Sequence, residues 1–135
     1  MKKKIITQYA RMWPRQVWDI FDGKYLVVRK LPELQQSGVY ILYRDDVPYY
    51  VGKTKTALAK RLHAHSNKST DRYFNYWNYF SFFVVPDPAH VDEIEGILIA
   101  SMATANSASP KIDQVQLPKE ISKVLREARR RNVET

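Results

Sequence analysis

The strongest case for chemistry in this sequence rests on two tyrosine triplets and one misplaced carboxylate. Gly38-Val39-Tyr40 and Tyr50-Val51-Gly52 each set a tyrosine beside a glycine, and Lys53 follows the second. Further on, Val91, Ile94, Leu98, Ile99 and Met102 form one apolar stripe when placed at about 100° per residue, and Glu95 falls inside that stripe, between Met102 and Ile99. Glu93 falls on the opposite, solvent side. A carboxylate on an apolar face is costly unless it is paired or bound to a metal. Gly52-Lys53-Thr54 resembles the end of a phosphate-binding loop, but that loop needs a glycine five residues before Gly52, and position 47 is valine.

These residues need elements to position them. Gly38 to Tyr43 and Tyr49 to Lys53 are β-prone runs around the charged break Arg44-Asp45-Asp46, which reads as an antiparallel hairpin. Alternation puts Tyr40 and Leu42 on one face, Val39 and Ile41 on the other. A helix near residues 57–65 follows, with Thr56 as its expected N-cap and Leu58 and Leu62 as its buried edge. Arg61 and His65, four apart, share an adjacent face, and His63 points roughly opposite Arg61. The aromatic run from Tyr73 to Phe80 reads as core and leads into a strand at 80–85, with Arg72 and Tyr76 placed to reach a nucleic-acid backbone. A helix over 88–102, capped by Asp87 with Pro88 in its first turn, carries Glu95.

The flanks are less specific. Trp13 to Phe21 predicts a short helix opening near Pro14, with Val17, Trp18 and Phe21 on one side. Tyr25-Leu26-Val27-Val28 is apolar without a decisive period. Pro118 opens a C-terminal helix that Ile121, Val124, Leu125 and Ala128 are expected to dock weakly. Its outer side carries Lys119, Lys123, Arg126, Arg129, Arg130 and Arg131, either a patch that tracks phosphates or a solvated face.

Composition narrows the partners. The chain has 135 residues, a single domain's worth, with a net charge of +8. An excess of this sign favours a polyanion, because neutralised phosphates release counterions. There is no cysteine, which excludes disulfides and thiolate metal sites and fits a cytoplasmic protein. No apolar run is long enough to span a bilayer, and Thr7, Gln8 and Arg11 break the opening Lys-Ile run before it becomes a secretory segment.

Together, Gly38-Val39-Tyr40 and Tyr50-Val51-Gly52 resemble the signature of the GIY-YIG nucleases, each triplet differing only by valine for isoleucine. The resemblance covers roughly residues 38–110. Family members place an arginine on the next helix, matched by Arg61; His65 matches a histidine found in some of them. A glutamate in an E-x-x-L-I context on a later helix is matched by Glu95, and an asparagine ahead of a proline by Asn106 before Pro110. The flanks 1–37 and 111–135 match no family feature.

The resemblance and the β-β-α-β-α order imply an α+β domain: a small three-stranded antiparallel sheet with flanking helices, a nuclease core at 38–110, and helical N- and C-terminal extensions. The implied activity is metal-dependent endonucleolytic hydrolysis of DNA, restriction-like or structure-specific, with DNA ahead of RNA as substrate. Glu95 would hold Mg²⁺ or Mn²⁺, since a hard cation keeps its waters and needs only one or two carboxylates. Arg61 would grip phosphate as a planar fork. Tyr40 would act as general base; a free tyrosine holds its proton to about pH 10, so Lys53, Arg61 and the metal would have to lower that value. Tyr50 would position the water or share the proton path. Lys53 and His65 would hold phosphate or relay protons, and Asn106 completes the set. Two other readings compete: a nucleic-acid-binding module that keeps the fold without turnover, and an assembly subunit using its aromatic surface.

Overall fold

The computed structural model describes residues 4–68, 76–106, 110 and 112–134, with side chains to Arg130. In chain order the elements are β1 (Gln8–Pro14), β2 (Phe21–Asp22), β3 (Tyr25–Leu26), β4 (Gly38–Arg44), β5 (Val47–Thr54), α1 (Leu58–Asn67), β6 (Tyr79–Val84), α2 (Val91–Ser101) and α3 (Lys119–Glu134).

The expected hairpin is β4–β5, in register from Gly38 opposite Thr54 to Arg44 opposite Val47. Its tight connection forces Asp45 to a φ of 57°, a conformation aspartate tolerates better than most residues. Asn78 secures the turn from outside. Its Oδ1 accepts from the Asp45 backbone N–H at 2.7 Å, and its Nδ2 donates to the Asp45 carboxylate at 2.9 Å. The pairing slips once, between Leu42 and Tyr43, where Tyr50 faces Leu42 but Pro48 faces Tyr43. Tyr49 is the extra residue of this bulge.

β6 pairs antiparallel with the other side of β4. The sheet does not stop there. β1 pairs antiparallel with β6, giving four strands in the order β1-β6-β4-β5. The expectation of three strands is thereby corrected, and so is the helix over Trp13 to Phe21. Trp13 lies in β1, edge-on to Phe80 at 6.0 Å and to Phe82 at 5.2 Å. Pro14 is tolerated because β1 is an edge strand. Arg15–Asp19 is a single 3₁₀ turn, and Phe21 begins the β2–β3 ribbon with its ring exposed. The helix-like spacing of Val17, Trp18 and Phe21 did not make a helix, because tertiary packing overrides local preference here. The N-terminal extension is therefore strand, 3₁₀ turns and a two-stranded ribbon, not helix. The run Tyr25 to Val28 splits between β3 and a second 3₁₀ turn.

The strict alternation of β4 divides the core. Tyr40 and Leu42 pack with Leu58, Leu62, Trp18, Trp77 and Phe80 on the α1 side. Val39, Ile41 and Val51 pack with Val85 and Val91 on the α2 side. Leu58 and Leu62 are fully buried, each contributing about 1.5–3 kcal/mol of transfer free energy. Thr56 does not cap α1; Ala57 occupies that position without a side-chain bond, and Thr56 instead meets Thr54 at 3.1 Å. Asp87 does accept the Ala89 N–H at 3.0 Å, and a 3₁₀ turn at Pro88–His90 leads into α2.

The C-terminal extension is helical, as α3, but the expected docking is absent among the described residues: Ile121, Val124 and Leu125 are 48%, 62% and 47% exposed. Among those residues no helix is long and apolar enough to cross a membrane.

Candidate active site

β5 is the outer strand of the sheet beside β4, and its two faces carry two groups of side chains. Tyr50 and Gly52 point toward α1, and Val51 and Lys53 toward α2, by the period of the strand.

On the α1 face, Tyr40, Tyr50 and His65 form a triangle of rings with centroids 5.5 to 6.3 Å apart. Tyr40 Oη and His65 Nε2 share a 2.7 Å hydrogen bond. Tyr40 is 0% exposed and His65 3%, so this bond lies out of water; Tyr50 is half-buried and is the ring that solvent reaches. Two glycines permit the packing. A Cβ on Gly52 would run into the Tyr40 ring at Cζ and Oη, and one on Gly38 into the Phe83 carbonyl oxygen. The glycines of both triplets serve close approach rather than an unusual φ.

The end of α1 that carries His65 is clasped from outside the hairpin. Arg15 donates to the Ser66 carbonyl at 2.8 Å and to the Trp77 carbonyl at 3.4 Å, and its guanidinium lies 4.9 Å from the Trp77 ring centroid. Trp77 Nε1 donates to the His65 carbonyl at 3.4 Å. Burial pulls the Arg15 pKa below its ordinary value, with Asp19 acting the other way. Arg61 lies exposed one turn before His65, so the two share an angular sector but not an environment. His63 sits beside Trp18 at 6.2 Å between centroids. Burial, then Arg29 and Lys68, lower its pKa.

On the α2 face, Lys53 Nζ lies 2.5 Å from Asp92 Oδ1 and 3.3 Å from Glu95 Oε1. Lys55 Nζ is 3.2 Å from Asp92 Oδ2. Glu95 is half-buried, its side chain 14% exposed, while Glu93 is exposed as its place on the helix predicts. The carboxylate on the apolar stripe is thus paired, and its partner is Lys53. Among the described residues no three acidic or histidine side chains gather to hold a metal. The donor set nonetheless suits a hard cation, because an ammonium already sits between two carboxylates.

Asn106 closes the open edge between the two groups. Its Oδ1 accepts from the Val51 N–H at 2.9 Å and its Nδ2 donates to the Val51 carbonyl at 2.7 Å, as a neighbouring strand would. The Ala105 N–H adds a bond to the Tyr49 carbonyl at 2.7 Å.

The structure therefore brings Tyr40, Tyr50 and His65 together, and separately Lys53 and Glu95. Arg72 lies outside the described residues. Lys119, Lys123, Arg126, Arg129 and Arg130 are exposed on α3, with no described contact to either group. Sequence reasoning missed Asp92 and Arg15. Asp92 was findable, since three residues before Glu95 on a helix is the same face. Arg15 carried no local signal, because its partners are 51 and 62 residues away.

A family model described as the GIY-YIG catalytic domain matches residues 36–105, just over half of the chain. No curated protein and no solved structure matches it.

Proposed function

Because the chain belongs to the GIY-YIG nuclease family, we propose that it is a metal-dependent endonuclease hydrolysing DNA phosphodiester bonds, by restriction-like or structure-specific cutting. The observation that carries this reading is the buried 2.7 Å bond between Tyr40 and His65, one strand away from the Lys53–Glu95 pair. Packing alone asks for rings at these positions, but not for a phenol held on an imidazole nitrogen out of water.

In this reading the Tyr40 O–H donates to His65 Nε2, with the other imidazole nitrogen carrying the proton. Tyr40 then takes a proton from the attacking water while passing its own to His65. Since Tyr40 is buried, the water enters beside Tyr50, which orients it. Arg61, exposed on α1, grips a phosphate oxygen as a fork. Lys53 meets the phosphate from the other face, Asn106 keeps β5 in place, and the basic side of α3 tracks the DNA backbone. Mg²⁺ or Mn²⁺ held by Glu95 would neutralise charge on the phosphate and the leaving oxygen.

The test is plasmid nicking across a Mg²⁺ series by Glu95→Gln and Glu93→Gln, with thermal melts and DNA-binding titrations alongside. Glu95→Gln keeps fold and DNA binding and loses cutting; Glu93→Gln, on the exposed side of α2, cuts like the parent. Full activity in Glu95→Gln, or equal loss in both, removes Glu95 from the site. DNA binding by the parent without cutting at any metal concentration supports the non-catalytic reading instead.

A further inference from the structure

The cluster on the α2 face contains one carboxylate with no role in the proposal above. Asp92 lies one helical turn before Glu95 and holds both lysines of β5, Lys53 through one oxygen and Lys55 through the other. Lys53 is shared unequally, at 2.5 Å from Asp92 and 3.3 Å from Glu95. Among the described residues, two lysines thus face two carboxylates.

We propose that Asp92 is a positioning residue that draws the Lys53 ammonium away from Glu95, leaving the Glu95 carboxylate open to a divalent cation. This rests on the reading of Glu95 as the metal ligand. Lys53 and a metal compete for one carboxylate. Without Asp92, Lys53 would close fully on Glu95, and a cation could bind only by stripping that pair and leaving a half-buried ammonium without its anion. With Asp92, a cation arriving at Glu95 leaves Lys53 paired and still at the site. The cluster then gains two positive charges, the sign that attracts a phosphodiester. Asp92 also stands in the first turn of α2, where the helix terminus favours a negative charge.

The idea separates from a simple field effect by a double-mutant cycle read on metal affinity rather than on cutting. Mn²⁺ is titrated against the full chain and the free ion followed by electron paramagnetic resonance, for the parent, Asp92→Asn, Lys53→Met and the double variant. Lys53→Gln serves as a second neutral replacement. Asp92→Asn is expected to weaken Mn²⁺ binding by about tenfold, within the usual range of coupling between contacting residues. In the Lys53→Met background the same change should do almost nothing, and Asp92→Glu should restore much of the affinity. Equal loss in both backgrounds, or no loss in either, overturns the proposal: the first means Asp92 acts only through its charge, the second that it does not act on the metal. Glu95→Gln distinguishes the two levels. If it abolishes Mn²⁺ binding while the cycle shows no coupling, the metal reading stands and the role of Asp92 falls; if it binds Mn²⁺ like the parent, both fall.

Discussion

The two faces of the β4–β5 hairpin hold their candidate side chains in opposite ways. Toward α1, Tyr40 and His65 are buried, locked ring against ring and joined by one hydrogen bond in a dry pocket. Toward α2, Lys53, Lys55, Asp92 and Glu95 stay partly wet and are joined by ion pairs, which exchange partners and weaken with salt. The contrast separates two needs. A proton passed between two groups needs fixed geometry and no competing water. A cation that enters and leaves needs ligands already satisfied by something it can displace. The β4–β5 hairpin would meet both, because the period of its strands turns Tyr40 and Tyr50 to one environment and Lys53 to the other.

Three experiments test this contrast. The largest effect is expected on the dry face. Tyr40→Phe removes only the hydroxyl, and cutting should fall by about 10²–10⁴, the usual worth of a general base, while Mn²⁺ binding is unchanged. If single-turnover cutting survives Tyr40→Phe, the α1 face is packing and not chemistry. Next comes Gly52→Ala. Its methyl group has nowhere to go, because Tyr40 is pinned from behind by His65, so denaturant unfolding should show a loss of about 1–3 kcal/mol from overpacking. An alanine tolerated without loss would mean that the triangle of rings can open beyond its 5.5 to 6.3 Å centroid distances.

The smallest effect concerns His63, on α1 but away from the triangle. Burial, with Arg29 and Lys68, depresses its pKa in the fold, so the unfolded chain takes up the proton first as pH falls. The stability from neutral His63 is complete above the unfolded value, about 6.5, and is lost as pH falls through the lower folded value. Melts between pH 8 and 5 should decline less steeply for His63→Gln than for the parent, with cutting at neutral pH unaffected. Identical slopes would place His63 in solvent.

What was legible in the sequence follows the same physics. The hairpin was readable because β4 alternates without interruption between two cores, so each residue announces its face. Glu95 was readable because a carboxylate is conspicuous among Ile94, Leu98 and Ile99. β1 was not. Its register shifts between Ala10 and Trp13, and Met12 sits at a φ of 55°, so the two-residue period is broken within seven residues. The face shared by Arg61 and His65 was correct as an angle, but an angle does not say how much protein lies against each residue. His65 is buried by Trp77 and Tyr40, which arrive from elsewhere in the chain. The stripe of Ile121, Val124 and Leu125 was correct as amphipathicity and wrong as docking, since amphipathicity names a face without supplying a surface for it.

β1 also sets where this protein can be cut without ruin. The family match begins at residue 36, yet the strand that shields β6 ends at Pro14. Trimmed to the matched span, the chain would present Tyr79-Phe80-Ser81-Phe82-Phe83-Val84 as a bare, apolar ribbon edge with an unpaired row of amides. Such an edge is a template for joining other chains. β1 thus guards that edge against self-association, and a chain cut back to the matched span would lose the guard.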